Sequence, residues 1–174
     1  MEGLKSNDKA MKSFHKHGGF LTCKNEKTLN TMTISWGNIG VAFGKPIFII
    51  YVRKSRFTNE LINKSGEFTI SIPLDSNLKK QLGIFGSTSG RDIDKFKLTG
   101  VKSKDSNKLN TPIIEGCDAY FECKVIYKHD INPEIMDDEI SKNTYLEGDY
   151  HTVFYGEIVD YYIGDILKLE VEIT

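Results

Sequence analysis

Short apolar or alternating segments, separated by turn residues, dominate this sequence and restrict the folds open to it. Residues 46–52 (PIFIIYV) form a continuous apolar run rich in β-branched and aromatic side chains, which predicts a strand with both faces buried. Residues 20–24, 30–36 and 67–73 predict three further strands. The first half of the chain is therefore expected to be mostly β.

The second half continues this pattern. Residues 119–128 and 151–160 predict long strands, and residues 167–173 alternate apolar and polar side chains as a half-buried strand does. Residues 130–149 contain a proline, an acidic run and a glycine, which indicates a long surface excursion with one helical turn.

The predicted helices are brief. Thr58 is a suitable N-cap, Glu60 falls in the first turn where an acid is favoured, and Gly66 marks the end of this helix. A second helix is predicted from a cap at Asp75 or Ser76 through Phe85. Strands at short spacing with two or three short helices predict a mainly β fold, a β-barrel with short helices, rather than a doubly wound α/β sheet.

Length and composition describe an ordinary soluble protein. The chain has 174 residues, 39% hydrophobic side chains and a net charge of −1, so it lacks the basic field expected of a nucleic-acid-binding protein. No apolar run has the length of a signal peptide or a membrane helix, and a cytoplasmic location without membrane contact is expected. Residues 1–174 are predicted to form a single domain because no linker or repeat divides them.

The cysteines and histidines do not predict a metal site. Cys117 and Cys123 lie in one predicted strand, too far apart for a disulfide, and are interpreted as buried hydrophobes on one face. Cys23 is the candidate for a free reactive thiol. No CxxC motif occurs, and His15 and His17 have no acidic partner at ligand spacing.

Other common motifs are absent from the sequence. No G-x-G-x-x-G follows a strand, and no G-x-S-x-G elbow occurs. Residues 40–46 (GVAFGKP) have the glycines and lysine of a phosphate loop but not its spacing or its Ser/Thr, and are interpreted as a loop before a strand.

Two segments combine into a candidate anion site. Residues 30–37 (NTMTISWG) carry short polar side chains on a predicted strand, and residues 52–58 (VRKSRFT) run from a strand into a helix. The second segment gathers two guanidinium groups, two hydroxyl groups and a helix N-terminus, all of which favour a bound phosphate. Surface charges and an amphipathic strand facing water are the alternatives.

Together with residues 87–92 (STSGRD) and Lys95, these segments resemble the flavin reductase-like family, the FMN-binding split barrels that include flavoredoxin. The resemblance covers residues 19–160. It implies a split β-barrel, FMN as the cofactor, and a homodimer with FMN at the subunit interface. FMN is expected rather than FAD because the basic turn suits a terminal phosphate.

The resemblance also implies which residues bind the cofactor. They are Asn30, Thr31, Met32, Thr33, Ser35 and Trp36 along the flavin ring; Val52, Arg53, Ser55, Arg56, Phe57 and Thr58 near the phosphate; and Ser89, Gly90, Arg91, Asp92 and Lys95 in the third segment. Arg53 and Arg56 are expected to neutralise the phosphate. Gly90 is expected to adopt a positive φ that directs N–H groups at the anion.

His151 is the candidate catalytic residue. The family often has Gly-Asp-His at the start of a late strand, whereas this sequence has Gly148-Asp149-Tyr150-His151, with one residue inserted. An inserted residue reverses the face of a strand side chain. A role in positioning substrate or supplying a proton is implied, and a strand histidine with an ordinary structural partner is the alternative.

The function implied is that of an FMN-binding oxidoreductase that passes reducing equivalents from NAD(P)H or a protein donor through flavin to an acceptor. One alternative is a flavoredoxin-like electron-transfer flavoprotein without direct nicotinamide turnover. Another is a non-enzymatic split barrel that binds flavin or haem, for which a histidine would be the axial ligand.

Overall fold

The computed structural model describes residues 2–26, 28–74 and 78–164, and side chains from residue 9 onward. Its helices are α1 (Glu2–His17), α2 (Phe57–Ser65), α3 (Lys79–Ser87), α4 (Lys95–Thr99) and α5 (Asp138–Thr144), with a 3₁₀ turn at Pro133–Ile135. Its strands are β1 (Gly19–Asn25), β2 (Thr28–Ile34), β3 (Gly37–Ala42), β4 (Lys45–Arg53), β5 (Glu67–Ile72), β6 (Ser103–Lys104), β7 (Ile113–Ile114), β8 (Ala119–Asp130) and β9 (His151–Ile163).

Seven strands form one antiparallel sheet in the order β2-β1-β5-β8-β9-β4-β3. The two edge strands, β2 and β3, are consecutive in the chain and are joined only by Ser35 and Trp36. Because so short a connection cannot span an open sheet, the sheet must curl until its edges approach each other. The prediction of a mainly β barrel with short helices is confirmed.

The barrel interior is filled with aromatic rings. Phe48 of β4 lies edge-on to Phe121 of β8 at 5.2 Å and to Phe14 of α1 at 5.6 Å between ring centroids. Phe14 is fully buried, so α1 contributes a side chain to the core. Burial of such a ring stabilises the fold by about 1.5–3 kcal/mol. The strand pattern of the sequence did not predict this helix.

A second apolar cluster covers the outside of the sheet. Phe20, beside the core residue Leu21 in β1, faces the opposite side because strand side chains alternate. Leu82 and Phe85 of α3 pack in the same cluster as Phe20, with 5.4 Å between the Phe20 and Phe85 ring centroids. This packing holds α3 and the loop after it beside β2.

Most strand predictions are confirmed, with two corrections. β2 ends at Ile34, two residues earlier than predicted. Residues 40–46, interpreted as a loop, instead form the end of β3, the turn at Phe43 and Gly44 with φ of 55° and 68°, and the start of β4. β3 is an exposed edge strand, with Val41 81% exposed, and so lacks the buried alternation that reveals a strand in a sequence.

The helix predictions are partly correct. Gly66 ends α2 in the left-handed conformation, with φ 70°. Thr58 is not the N-cap, because Arg56 occupies that position and makes no side-chain cap. Residues 130–149 contain a 3₁₀ turn and a helix rather than one helical turn. The predicted caps at residues 75 and 76 and the predicted strand at 167–173 lie outside the described residues.

The cysteines are buried free thiols. Cys123 belongs to the core with Ala119 and Phe121, as predicted, but Cys117 precedes β8 and lies in the outer cluster. The shared face predicted for the two cysteines is therefore wrong. Burial raises the pKa of Cys23 to about 12, so this thiol is not a reactive nucleophile at neutral pH.

The part of the chain that the structure describes contains neither a membrane-spanning helix nor a cluster of metal-ligating side chains. No helix there is long and apolar enough to cross a bilayer. No three His, Cys, Asp or Glu side chains among those residues are grouped to hold a metal ion.

Candidate functional site

A cavity of about 200 Å³ lies where the start of α2, the loop after α3, the start of α4 and β2 meet. We call this space the basic cavity. It is lined by Asn30, Met32, Ser55, Arg56, Phe57, Thr58, Phe85, Thr88, Ser89, Gly90, Arg91 and Lys95. All except Phe85 and Thr88 were predicted as cofactor-binding residues. The fold thus brings together three segments that are distant in the sequence.

Lys95 is the most unusual residue of the basic cavity. Only 3% of it is exposed, and its Nζ donates to the carbonyl oxygens of Phe85 at 3.4 Å and Thr88 at 3.3 Å. Burial, followed by the nearby charge of Arg56, lowers the pKa of Lys95 to about 8. Two positive charges at one small cavity repel each other, and a bound anion would relieve this repulsion. The sequence identified Lys95 but gave no sign of its burial.

Gly90 packs directly against Asn30. A Cβ at Gly90 would collide with Asn30 Oδ1, and Asn30 Nδ2 donates to Thr58 Oγ1 at 2.8 Å. The expected positive φ at Gly90 is wrong, since this residue is not in the left-handed region. Glycine is required here for close approach: it lets the loop after α3 lie against β2 while Asn30 holds the first turn of α2.

Arg91 connects the same loop to α2. Its Nη1 donates to the Ser55 carbonyl at 3.1 Å, its Nη2 contacts Glu60 Oε2 at 3.4 Å, and its guanidinium lies 4.9 Å from the Phe57 ring centroid. The pKa of Glu60 is lowered, first by Lys64 and then by Arg91. Arg91 therefore forms a wall of the cavity and has a carboxylate partner, unlike Lys95.

Arg53 does not line the basic cavity. Its Nη1 donates to the Asp149 carbonyl at 2.8 Å and its Nη2 to the Thr144 carbonyl at 3.2 Å. The sequence placed Arg53 and Arg56 at one phosphate, and the structure separates them. Arg53 ends β4 and points to residues 144–149, whereas Arg56 follows the turn and begins α2.

The segment before β9 is tied to the turn before α2. Ser55 donates from its Oγ to Asp149 Oδ2 at 2.6 Å and from its N–H to Asp149 Oδ1 at 3.1 Å. Asp149 thus holds the strand-to-helix turn that carries Arg56. Asp92, predicted to bind the cofactor, is exposed and does not line the basic cavity.

His151 lies in a second group of residues, the His151 group, which consists of Trp36, Arg53, Tyr145 and His151. The His151 ring stacks on Trp36, with 4.9 Å between centroids and 23° between planes, and its Nδ1 lies 2.7 Å from the Tyr145 hydroxyl. Burial, followed by the charge of Arg53, lowers the pKa of His151 to about 4, so the imidazole is neutral at neutral pH. Tyr145 was not predicted.

The residue inserted before His151 is absorbed by a turn. Gly148 has φ 69°, and the Tyr150 N–H donates to the Gly148 carbonyl at 3.0 Å. β9 then begins at His151, which pairs with Arg53. The insertion therefore changes the turn and leaves His151 buried beside Trp36.

Two hydroxyl groups of β2, those of Thr31 and Thr33, already have protein partners. Thr31 Oγ1 lies 2.9 Å from Thr22 Oγ1, and Thr33 Oγ1 donates to the Leu82 carbonyl at 2.6 Å. A flavin edge could contact these hydroxyl groups, as expected from the sequence, only in addition to or in place of these hydrogen bonds. Ser35 and Trp36 are exposed beyond the end of β2, while Val52 is a core residue.

Comparison with known proteins identifies the class to which this fold and site belong. The family described as Flavin reductase like domain matches residues 11–170. The chain belongs to this flavin reductase-like family.

Two relatives show how far the similarity extends. A protein of Archaeoglobus fulgidus is 29% identical over 141 residues, which are 80% of this chain and 68% of that protein. A protein of Escherichia coli is 36% identical over 98 residues, which are 56% of this chain and 51% of that protein. The chain thus spans about half the length of the second relative.

Solved structures share the fold. The flavoredoxin of Methanosarcina acetivorans is 26% identical with a TM-score of 0.66, covering 85% of this chain and 68% of its own. An FMN-binding protein of Thermus thermophilus has 24% identity and a TM-score of 0.68 over 87% and 73% of the two chains. An NADH:FAD oxidoreductase of Streptomyces globisporus has 19% identity and a TM-score of 0.66 over 86% and 77%.

Proposed function

We propose that this protein is an FMN-binding oxidoreductase of flavin reductase type, with residues 1–174 acting as one domain. It would pass reducing equivalents from NAD(P)H or a protein donor through the flavin to an acceptor. The observation that carries the proposal is the basic cavity, a space of about 200 Å³ beside a helix N-terminus that is lined by the buried Lys95 and the exposed Arg56. Membership of the flavin reductase-like family supports the choice of a flavin.

The basic cavity suits the phosphate of FMN. Lys95 and Arg56 would neutralise its charge, and the first turn of α2 would offer unpaired N–H groups and the positive end of the helix dipole. Arg56 can contact two phosphate oxygens at once because its guanidinium is planar. A phosphate here would also stabilise the proton on Lys95, since an anion raises the pKa of a nearby amine.

β2 connects the basic cavity to the His151 group. Asn30, near its start, lines the cavity, and Trp36, just past its end, stacks on His151. A flavin lying along β2 with its phosphate in the cavity would therefore extend toward the His151 group. The flavin supplies the hydride chemistry, while the protein fixes its orientation and access.

In this arrangement His151 positions substrate rather than supplying a proton. With a pKa of about 4 the ring carries no acidic proton to give at neutral pH, but it offers a hydrogen-bonding edge held by Tyr145 and Trp36. Trp36 is 48% exposed, which supports an accessible surface beside His151 where a nicotinamide could approach.

A flavoredoxin-like electron carrier is the second candidate, favoured by the structural likeness to the flavoredoxin of Methanosarcina acetivorans. The two functions differ in direct nicotinamide turnover. The purified protein should be yellow and hold one FMN per chain, and oxidation of NADH and NADPH should be followed with FMN bound. Turnover supports the reductase, and a bound flavin reduced only by a protein donor supports the carrier. A colourless protein that does not quench FMN fluorescence would overturn both.

We also propose that the protein is a homodimer with the flavin at the subunit interface, as the resemblance implies. Sedimentation or light scattering should then give roughly twice the 19.7 kDa of one chain, with or without FMN. A monomer at micromolar concentration would contradict this assembly, because an interface that holds a cofactor should survive that dilution.

A further inference from the structure

The imidazole of His151 has one ring nitrogen engaged and the other available. Nδ1 lies 2.7 Å from the Tyr145 hydroxyl, whereas Nε2 has no hydrogen-bond partner among the described residues. Within that part of the chain, Gln81 Oε1 is the one buried side-chain nitrogen or oxygen that lacks a partner. Nε2 is therefore not enclosed, and it reaches the surface of a ring on which the exposed Trp36 stacks.

The partner of Nδ1 decides which nitrogen carries the hydrogen. A neutral imidazole has one donor and one acceptor nitrogen. Tyr145 is only 5% exposed, and its hydroxyl makes no other hydrogen bond to the described residues. If Nδ1 carried the hydrogen, the buried hydroxyl hydrogen of Tyr145 would have no acceptor, which is costly. If Tyr145 donates to Nδ1, both groups are satisfied and the imidazole hydrogen lies on the accessible Nε2.

Both groups are neutral at neutral pH, as this arrangement requires. Burial, followed by the charge of Arg53, lowers the pKa of His151 to about 4, so the ring remains an unprotonated acceptor at Nδ1. Burial raises the pKa of Tyr145, so the phenol keeps the hydrogen that it donates.

Tyr145 is itself held in place. Arg53 donates to the carbonyl groups of Thr144 and Asp149, at 3.2 Å and 2.8 Å, and its guanidinium lies 5.4 Å from the Tyr145 ring centroid. The ring of Tyr150 stacks on that of Tyr145, with 4.7 Å between centroids. The hydroxyl is thus presented to Nδ1 by a segment fixed on both sides of Tyr145.

We propose that Tyr145 is a positioning residue: it fixes His151 in the tautomer with the hydrogen on Nε2 and so makes the accessible edge of the ring a hydrogen-bond donor. The donor would serve the molecule that exchanges hydride with the flavin, and in this respect the inference rests on the proposed function. It selects a ligand that places an acceptor, such as a carboxamide or carbonyl oxygen, against His151 and disfavours one that places an N–H group there.

The tautomer is measured by NMR that correlates the ring nitrogens of histidine with the carbon-bound ring protons. At neutral pH the wild type, with and without FMN, should show a protonated Nε2 and an unprotonated Nδ1. Tyr145→Phe keeps the ring and removes the hydroxyl, so the Nδ1 resonance should move to higher frequency, as expected when an unprotonated nitrogen loses a hydrogen bond. Tyr150→Phe is the matched control, because it removes a neighbouring hydroxyl that does not contact His151, and it should leave both resonances unchanged.

The effect on the ligand is measured as single-turnover reduction of bound FMN by NADH and by NADPH. Tyr145→Phe should raise the nicotinamide concentration that gives half the maximal rate by about three- to tenfold and leave FMN affinity unchanged. In a His151→Ala background Tyr145→Phe should add nothing, because it acts through the imidazole. Tyr150→Phe should change neither quantity.

Several results overturn the inference while the proposed binding of FMN stands. They are a hydrogen on Nδ1 in the wild type, an Nδ1 resonance that Tyr145→Phe does not move, an equal kinetic effect of Tyr145→Phe with and without His151, and bound flavin that neither nicotinamide reduces. A wild type that binds no flavin would instead overturn the proposed function, whereas the NMR spectra decide the tautomer in either case.

Discussion

The hydroxyl of Tyr145 lies 2.7 Å from Nδ1 of His151, and both residues are buried. Tyr145 comes from the segment after α5 and His151 is the first residue of β9. Trp36 covers the imidazole from the end of β2. Side chains from two other segments thus hold the imidazole in place, and the ionisation of His151 should report on whether this arrangement is intact.

We expect His151 to stay neutral until pH falls to about 4. Its unfolded value of 6.5 is higher, so between pH 6.5 and 4 the unfolded chain binds the extra proton. The contribution of His151 to the free energy of unfolding is therefore lost as pH falls through this window. NMR titration of the imidazole gives the pKa directly, and His151→Gln should remove that part of the pH dependence. An imidazole that titrates near 6.5 in the folded protein would contradict this account.

Lys95 should make FMN binding depend on pH. Its pKa of about 8 lies below the ordinary 10.5, so the free protein loses this charge as pH rises through 8. FMN affinity should fall over that range, whereas riboflavin, which has no phosphate, should show no matching change. Lys95→Met should abolish the dependence. An FMN affinity that stays constant from pH 7 to 9.5 would exclude Lys95 as a phosphate ligand.

The same shift predicts the stability of the free protein. Between pH 8 and 10.5 the unfolded chain binds more protons at Lys95 than the folded one, so the contribution of Lys95 to stability rises with pH. The difference in free energy of unfolding between the wild type and Lys95→Met, measured by denaturant titration, should move in favour of the wild type across this range. A constant difference would show that the lysine is not desolvated.

Arg56 and Arg53 should respond differently to removal. Arg56→Ala should weaken FMN binding by about 1.5–3 kcal/mol, or roughly 10- to 150-fold, and leave riboflavin binding nearly unchanged. Arg56→Lys should recover part of the loss. Arg53→Ala removes hydrogen bonds to two carbonyl groups, so its effect should be on the His151 segment and should not distinguish FMN from riboflavin. Calorimetry with both ligands checks this, and a phosphate-selective loss in Arg53→Ala alone would reverse the assignment.

Gly90 and Gly83 provide a matched pair of glycine substitutions. Gly90→Ala should displace Asn30, break its bond to Thr58 and weaken FMN binding. Gly83 lies within α3 with nothing within 4 Å of an added Cβ, so Gly83→Ala should stabilise the protein by about 0.5–1 kcal/mol through helix propensity. Thermal unfolding and FMN titration measure both effects. Equal FMN binding in the two variants would mean that the contact between Gly90 and Asn30 is not needed.

The sequence predicted the barrel because the core strands carry a strong local signal. A continuous apolar run such as that of β4 predicts a strand from its own residues, without knowledge of the strands that pair with it. β3 was missed because it is an exposed edge strand, and α1 was missed because its contact with the core depends on single residues such as Phe14. Both elements are defined by tertiary contacts.

The sequence identified the segments that form the site but not the arrangement of their side chains. Residues 52–58 and 87–92 were identified as separate anion-binding pieces, and the basic cavity unites them. The directions of the arginine side chains could not be predicted from the sequence. Arg53 and Arg56 are three residues apart, yet Arg53 donates to the carbonyl groups of residues 144 and 149 whereas Arg56 lines the cavity. The role of Tyr145 could not be predicted from the sequence, because it depends on a tertiary contact with His151.

The two-residue connection between β2 and β3 bears on how the protein tolerates insertions. Connections are usually where chains accept extra residues, because their length carries little of the fold's stability. Here the connection ties the two edges of a seven-stranded sheet, and the Trp36 carbonyl accepts a hydrogen bond from the Tyr51 N–H at 3.2 Å. Added residues at this point would let β2 and β3 separate, and the outer edges of these two strands could then recruit other chains. Related proteins should therefore keep the length of this connection even where its residues differ.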